Sequence, residues 1–175
     1  MRSGSRHIIS VLVENQFGVL ARISSLIAGR GFNIDSLTVG ETEDPTLSRM
    51  TIVTHGDERI IEQVTKQLNR LIDVVKVTDL TETTHIEREL VLVKVNAPSS
   101  QARSEIMQIV DVFRAKVVDI STSTITVEVT GNQDKVNAII NMLEPFGVRE
   151  MARSGVIALG REKMPRRSVE GVKVA

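Results

Sequence analysis

Apolar positions along this chain change their spacing at regular intervals, and the changes mark out its elements. From His7 to Val13 they alternate. Ile9, Val11 and Val13 share one face and Ile8, Ser10 and Leu12 the other, which predicts a strand. Helical spacing follows, with Val19/Leu20, Ile23 and Leu26/Ile27 on one stripe and Gly31 as the expected stop. Phe32 to Glu41 and Leu47 to His55 read as strands joined by the polar Thr42-Glu43-Asp44-Pro45-Thr46. Gly56-Asp57 opens a second helix, with Ile60/Ile61, Val64, Leu68 and Leu71 on one stripe, and Val74 to Leu80 closes the unit as a strand. The order β-α-β-β-α-β is ferredoxin-like.

That order then repeats. Arg88 to Val95 is a strand, Pro98-Ser99-Ser100 a helix start, and Ala102, Ile106, Ile109/Val110 and Phe113 a helical stripe. Lys116 to Ser121 and Ile125 to Thr130 are strands. Asn132 starts a helix carrying Val136, Ile139/Ile140 and Leu143, which Pro145 helps to end. Val148 to Leu159 supplies the last extended segment, broken by Gly155. The expectation is an α+β chain of two tandem ferredoxin-like βαββαβ domains. The first covers residues 1–80, a linker that opens on the polar Thr81 to His85 covers 81–87, the second domain covers 88–160, and 161–175 is a loose basic tail.

A four-stranded sheet with both helices on one side leaves its other face bare. That face carries Ile8 and Leu12 in the first strand and Leu90 and Leu92 in the fifth. At about 25 cal/mol per Å² of apolar surface, leaving several such side chains wet forfeits a few kcal/mol per strand. Some partner is expected to cover part of that surface, and a lone monomer is not the expected state.

Composition narrows the function. The 22 basic and 22 acidic residues cancel, so no overall field steers the chain to nucleic acid or anionic lipid. RNA-recognition modules share the β-α-β-β-α-β order but stack bases on aromatic residues, and Ser48 to Thr54 has none. Cysteine is absent, which excludes disulfides and thiolate chemistry and fits a reducing compartment. No run of about 18 apolar residues occurs, so the expectation is a soluble, cytoplasmic protein without a membrane partner. His7, His55 and His85 are far apart, and neither a P-loop nor a nucleophile elbow is present. Glu41, Glu43 and Asp44 crowd a hairpin and read as a solvated turn rather than a metal site. Nothing points to an enzyme or to a metal.

One β-α-β stretch does point to chemistry. Asn15 and Gly18 lie in the turn where the first strand feeds the first helix, and Asn33 opens the returning strand. Read alone, Asn15-x-x-Gly18 is a polar helix start with a permissive glycine. The conjunction with Asn33 suggests more. The N–H groups of a helix start seat a carboxylate, an Asn side chain suits both charged groups of a free amino acid, and Val19, Leu20 and Ile34 can hold an aliphatic side chain. The pocket would lie within one domain or across a dimer. The second half lacks these groups: Val117 stands where the first half has Asn33, and Asn96-Ala97-Pro98-Ser99 has no glycine.

These residues carry a resemblance. The stretch from Glu14 to Ile52, with its Gly-x-Leu helix start, RGFNIDSLTV strand and DPTLSRMTI hairpin, resembles the N-terminal ACT domain of the small, regulatory subunit of acetohydroxyacid synthase (acetolactate synthase). RELVLVKV and the ARSGV segment at Ala152 to Val156 are similar to the same family. The resemblance implies a non-catalytic subunit that binds and activates a catalytic large subunit and makes it sensitive to feedback by valine. It implies no cofactor on this chain, with thiamine diphosphate, Mg and FAD on the large subunit. It also implies a homodimer of ACT domains with effector sites at the interface. Asn15, Gly18, Val19 and Leu20 would come from one chain and Asn33 and Ile34 from the other, binding valine or a related branched-chain amino acid. Phe17, before the glycine, departs from the smaller residue of many relatives and bears on pocket size. The alternatives are a stand-alone amino-acid sensor acting on a different enzyme or transporter, and an ACT-like enzyme domain, for which no catalytic group is found.

Overall fold

The computed structural model describes residues 4–29 and 33–162. The element order is β1 (Ser5–Glu14), α1 (Val19–Ala28), β2 (Ile34–Glu41), β3 (Leu47–Gly56), α2 (Glu58–Leu68) and β4 (Val74–Asp79), then β5 (His85–Asn96), α3 (Ser100–Val112), β6 (Lys116–Ile120), β7 (Thr124–Gly131), α4 (Gln133–Leu143), β8 (Val148–Arg153) and β9 (Ile157–Gly160). Two βαββαβ units follow one another, each an antiparallel sheet.

The alternation in β1 decides which face each sheet buries. Ile9, Val11 and Val13 pack with Met50 and Ile52 of β3 against Ile23 and Ile27 of α1 and Ile61, Val64 and Leu68 of α2. The second unit repeats this with Val91, Val93 and Val95 of β5, Val127 of β7, Ile106 of α3, and Val136, Ile139 and Leu143 of α4. Strand order is β2-β3-β1-β4 in the first sheet and β6-β7-β5-β8 in the second, with β9 on the first half of β5. Asp57, Ser99 and Asn132 each cap the helix that follows with a side-chain oxygen.

The structure differs from the sequence expectation in three places. Helix α1 ends at Ala28, where Gly29 returns its N–H to Ser25 and Ile27; the expected stop, Gly31, lies outside the described residues. Strand β5 starts at His85 rather than Arg88, because residues 85–88 pair with β9. The last extended segment divides at Gly155, whose φ of +84° turns the chain, so β8 and β9 pair with different halves of β5. Of the expected tail, residues 163–175 lie outside the described residues.

The bare face of the first sheet is partly covered, and by this same chain. Ile8 and Val53 are buried with Leu80, Val156 and Ala158, which brings β9 and the preceding loop onto the first unit. On the second sheet Leu90 and Leu92 remain 38% and 36% exposed.

Candidate effector-binding site

The turn between β1 and α1 is built from its backbone. Gly18 occupies the N-cap of α1 at φ +82°, ψ −8°, a left-handed conformation that glycine adopts without penalty. A Cβ there would meet only the guanidinium of Arg22 at 3.9 Å, so the space above Gly18 is open. No side chain caps α1 and no acidic residue lies in its first turn. Val19 N–H donates to the Gln16 carbonyl at 3.5 Å, and the N–H groups that follow it at the positive end of the helix dipole have no side-chain cap.

Asn15 is held in place by the neighbouring hairpin. Its Nδ2 donates to Glu41 Oε1 at 3.1 Å and to the Pro45 carbonyl at 3.0 Å, and its own N–H donates to the Thr46 carbonyl at 2.7 Å. With both amide hydrogens used, Asn15 presents its Oδ1 as an acceptor, beside the Glu41 carboxylate. That acceptor pair suits an ammonium group. Glu41 has a positioning role that the sequence reading assigned to a solvated turn. The signal was its place at the end of β2, where pairing with Ser48 sets it beside the β1 turn.

The remaining predicted residues separate. Leu20 and Phe17 are exposed beside Gly18, whereas Val19 turns into the core. The Val19 side chain is therefore taken up by the core rather than lining a pocket, and the residue's N–H donates to the Gln16 carbonyl at 3.5 Å. The helical stripe explains it: Val19, Ile23 and Ile27 recur every fourth residue and all three are buried. Ile34 is half-buried against the same core. Asn33 is exposed, with Nδ2 donating to Asp35 Oδ1 at 3.3 Å and its carbonyl accepting from Thr54 Oγ1 at 2.7 Å. Asp35 also meets His55 Nδ1 at 2.5 Å.

Within one chain the two halves of the site do not meet. Glu14, next to Asn15, is level with Leu47 of β3, while Ile34, next to Asn33, is level with Thr54. Those partners lie seven residues apart on β3, or about 23 Å at 3.3 Å per residue. Asn15 and Gly18 sit at one end of the sheet and Asn33 at the other.

The second unit closes the corresponding place. Ser99 caps α3, and the guanidinium of Arg103 folds over the turn, donating to the carbonyls of Ala97 at 3.1 Å, Ser121 at 2.9 Å and Thr122 at 2.5 Å. Among the described residues no group of three His, Asp or Glu side chains stands close enough to hold a metal. No described helix is long and apolar enough to cross a membrane.

Two family models match consecutive parts of the chain. A model for an AHAS small subunit-like ACT domain matches residues 9–76, and one for the small subunit of acetolactate synthase matches residues 88–162. The acetolactate synthase small subunit of Aquifex aeolicus is 59% identical over 157 residues, covering 90% of this chain and 82% of that protein. The chain belongs to the acetolactate synthase small-subunit family. The small subunit of Mycolicibacterium smegmatis is 51% identical over 89% of this chain and 91% of its own length. The crystal structure of the small subunit from Thermotoga maritima superposes with a TM-score of 0.80 at 44% identity, covering 91% of this chain and 99% of that one. As a member of this family the protein is a regulatory, non-catalytic subunit in branched-chain amino acid biosynthesis, and a small subunit implies association with a catalytic large subunit.

Proposed function

We propose that two copies of this small subunit pair through their first units and bind valine, or a close branched-chain relative, at two sites shared between the chains. The observation that carries the reading is the separation just described: the turn and the Asn33 end of one chain are about 23 Å apart along the sheet. Strand β2 is an edge strand, and its two ends carry the two half-sites. Antiparallel pairing of one β2 with another around a two-fold axis would set each Asn33 beside the partner's Asn15–Gly18 turn. The ligand carboxylate then meets the open N–H groups of α1, the ammonium meets Asn15 Oδ1 and Glu41, and Asn33 supplies a hydrogen bond from across the interface. Leu20, Phe17 and Ile34 offer apolar surface to an aliphatic side chain. Through the large subunit, which this chain activates, binding would become feedback inhibition.

Titration calorimetry with valine, leucine and isoleucine, paired with sedimentation analysis, tests this. Saturable binding of one site per chain, in a dimer, is expected, with glutamate inert. A monomer that binds valine with full affinity would remove the shared site.

A further inference from the structure

The effector reading leaves open how anything felt at β2 reaches the rest of the molecule. The structure offers one route in which every link is a specific contact. Ser36 and Thr38 lie two residues apart on β2, on the sheet face away from the helices, just beyond Asn33 and Ile34. Their hydroxyls hold both backbone groups of one residue in the second half of the chain. Val156 N–H donates to Ser36 Oγ at 2.9 Å, and Thr38 Oγ1 donates to the Val156 carbonyl at 2.7 Å.

The approach is close enough to require glycine. A Cβ on Gly155 would lie 2.8 Å from Ser36 Oγ and 2.8 Å from Thr38 Cγ2, and its φ of +84° also disfavours any other residue. The loop that carries Gly155 is fastened at its other side to β5. Ser154 N–H donates to the Leu90 carbonyl at 2.9 Å, and Leu90 N–H returns to Ser154 Oγ at 3.0 Å. Arg153 grips the buried Glu89 through two nitrogens, at 2.9 and 2.5 Å. The apolar floor beneath, Ile8, Val53, Leu80, Val156 and Ala158, contains buried side chains from both units.

We propose that Ser36 and Thr38 are positioning residues that transmit effector occupancy from β2 to the loop at 153–157, and so to β5 and the second unit. The proposal rests on the effector reading above. A strand that shifts or stiffens when its first residues meet a ligand cannot slide past Val156 while both hydroxyls hold it. It carries the loop along, or it breaks the pair. A contact that is either held or broken gives strand and loop two discrete arrangements, and an element with two arrangements is what a coupling between two sites needs.

The test compares binding with inhibition in the holoenzyme reconstituted with its large subunit. Ser36→Ala combined with Thr38→Val removes both hydroxyls and keeps volume; Thr38→Ser keeps the hydroxyl and serves as the conservative control. For the double variant, valine affinity by calorimetry should stay within about threefold of wild type and activation of the large subunit should persist. The valine concentration for half-inhibition should rise by about tenfold or more, within the usual range of allosteric coupling. Thr38→Ser should behave as wild type. Gly155→Ala attacks the same contact from the other side and should uncouple inhibition in the same way, whether or not the double variant folds. Full inhibition of the double variant or of Gly155→Ala at wild-type valine concentrations would overturn the proposal. So would parallel loss of binding and inhibition, which would put the hydroxyls in the effector site itself. A wild-type chain that takes up no valine would instead remove the effector reading, and the coupling with it.

Discussion

At the scale of single residues, the proposed effector end of the first unit rests on a glycine with space above it. Gly18 sits at φ +82°, with nothing but the Arg22 guanidinium within 4 Å of a notional Cβ. Two substitutions should therefore separate conformation from charge. Gly18→Ala strains the backbone, costing about 1 kcal/mol of stability, yet leaves the open N–H groups of α1 able to take a carboxylate. Gly18→Asp adds a negative charge where the proposed site seats the ligand carboxylate and caps the helix with its own oxygen, so valine binding should vanish. Denaturant midpoints and calorimetry on the pair check this; unchanged valine affinity in Gly18→Asp would move the pocket elsewhere. Residue chemistry at this turn was legible in part. The glycine, the two asparagines and the apolar neighbours could be named from spacing, but two roles could not. Val19 belongs to a buried stripe with Ile23 and Ile27, which its spacing declared and its nearness to Gly18 obscured. Glu41 is far from Asn15 in sequence and meets it only through the register of β2 on β3.

At the scale of elements, periodicity located every described α-helix and nearly every strand, because each buries one face against one core and the stripe shows. Strand β9 escaped as a separate element. Its residues alternate like those of β8, and only the turn at Gly155 sends them to another partner. The early start of β5 escaped for the same reason, since residues 85–88 are polar but for Ile86 and are held by pairing with β9 rather than by burial. The join between the units has an electrostatic component that can be tested. Glu87 of β5 accepts from Arg6 of β1 at 2.8 Å and from the Gln133 N–H at 3.2 Å. Burial alone would raise its carboxyl, but these two hydrogen bonds, with the charges of Arg6 and His85, outweigh it and hold the carboxyl below its ordinary value of 4.5. A carboxyl depressed in the folded state contributes stability above its ordinary value and loses that contribution as pH falls through the depressed value. Glu87→Gln should thus be less stable than wild type at neutral pH, by about 1 kcal/mol or less for so partly exposed a pair. The gap should close as pH drops below the ordinary glutamate range. Urea midpoints measured for both proteins from neutral to acid pH give the answer, and a gap that persists unchanged in acid would assign the effect to packing.

At the scale of the whole molecule, the decisive feature is that the Asn15–Gly18 turn and Asn33 stand at opposite ends of one sheet, so that the proposed sites need a second chain to complete them. Asn33→Ala should remove a hydrogen bond to a charged ligand group, costing about 1.5–3 kcal/mol, or about ten- to a hundredfold in affinity. Gly18→Asp should ruin the opposite wall. In a symmetric dimer of either variant both sites are damaged, so neither homodimer distinguishes a shared pocket from a private one. A mixed dimer does. With one Gly18→Asp chain and one Asn33→Ala chain, a shared arrangement puts both lesions into a single site and leaves the other with native Gly18 from one chain and native Asn33 from its partner. Purified heterodimer carrying two different tags should then bind valine at half the wild-type stoichiometry with near-native affinity. If each pocket were private to its chain, every site in the heterodimer would carry a lesion and no tight binding would survive. The second unit, whose helix start is capped by Ser99 and covered by Arg103, is expected to add no site to that count.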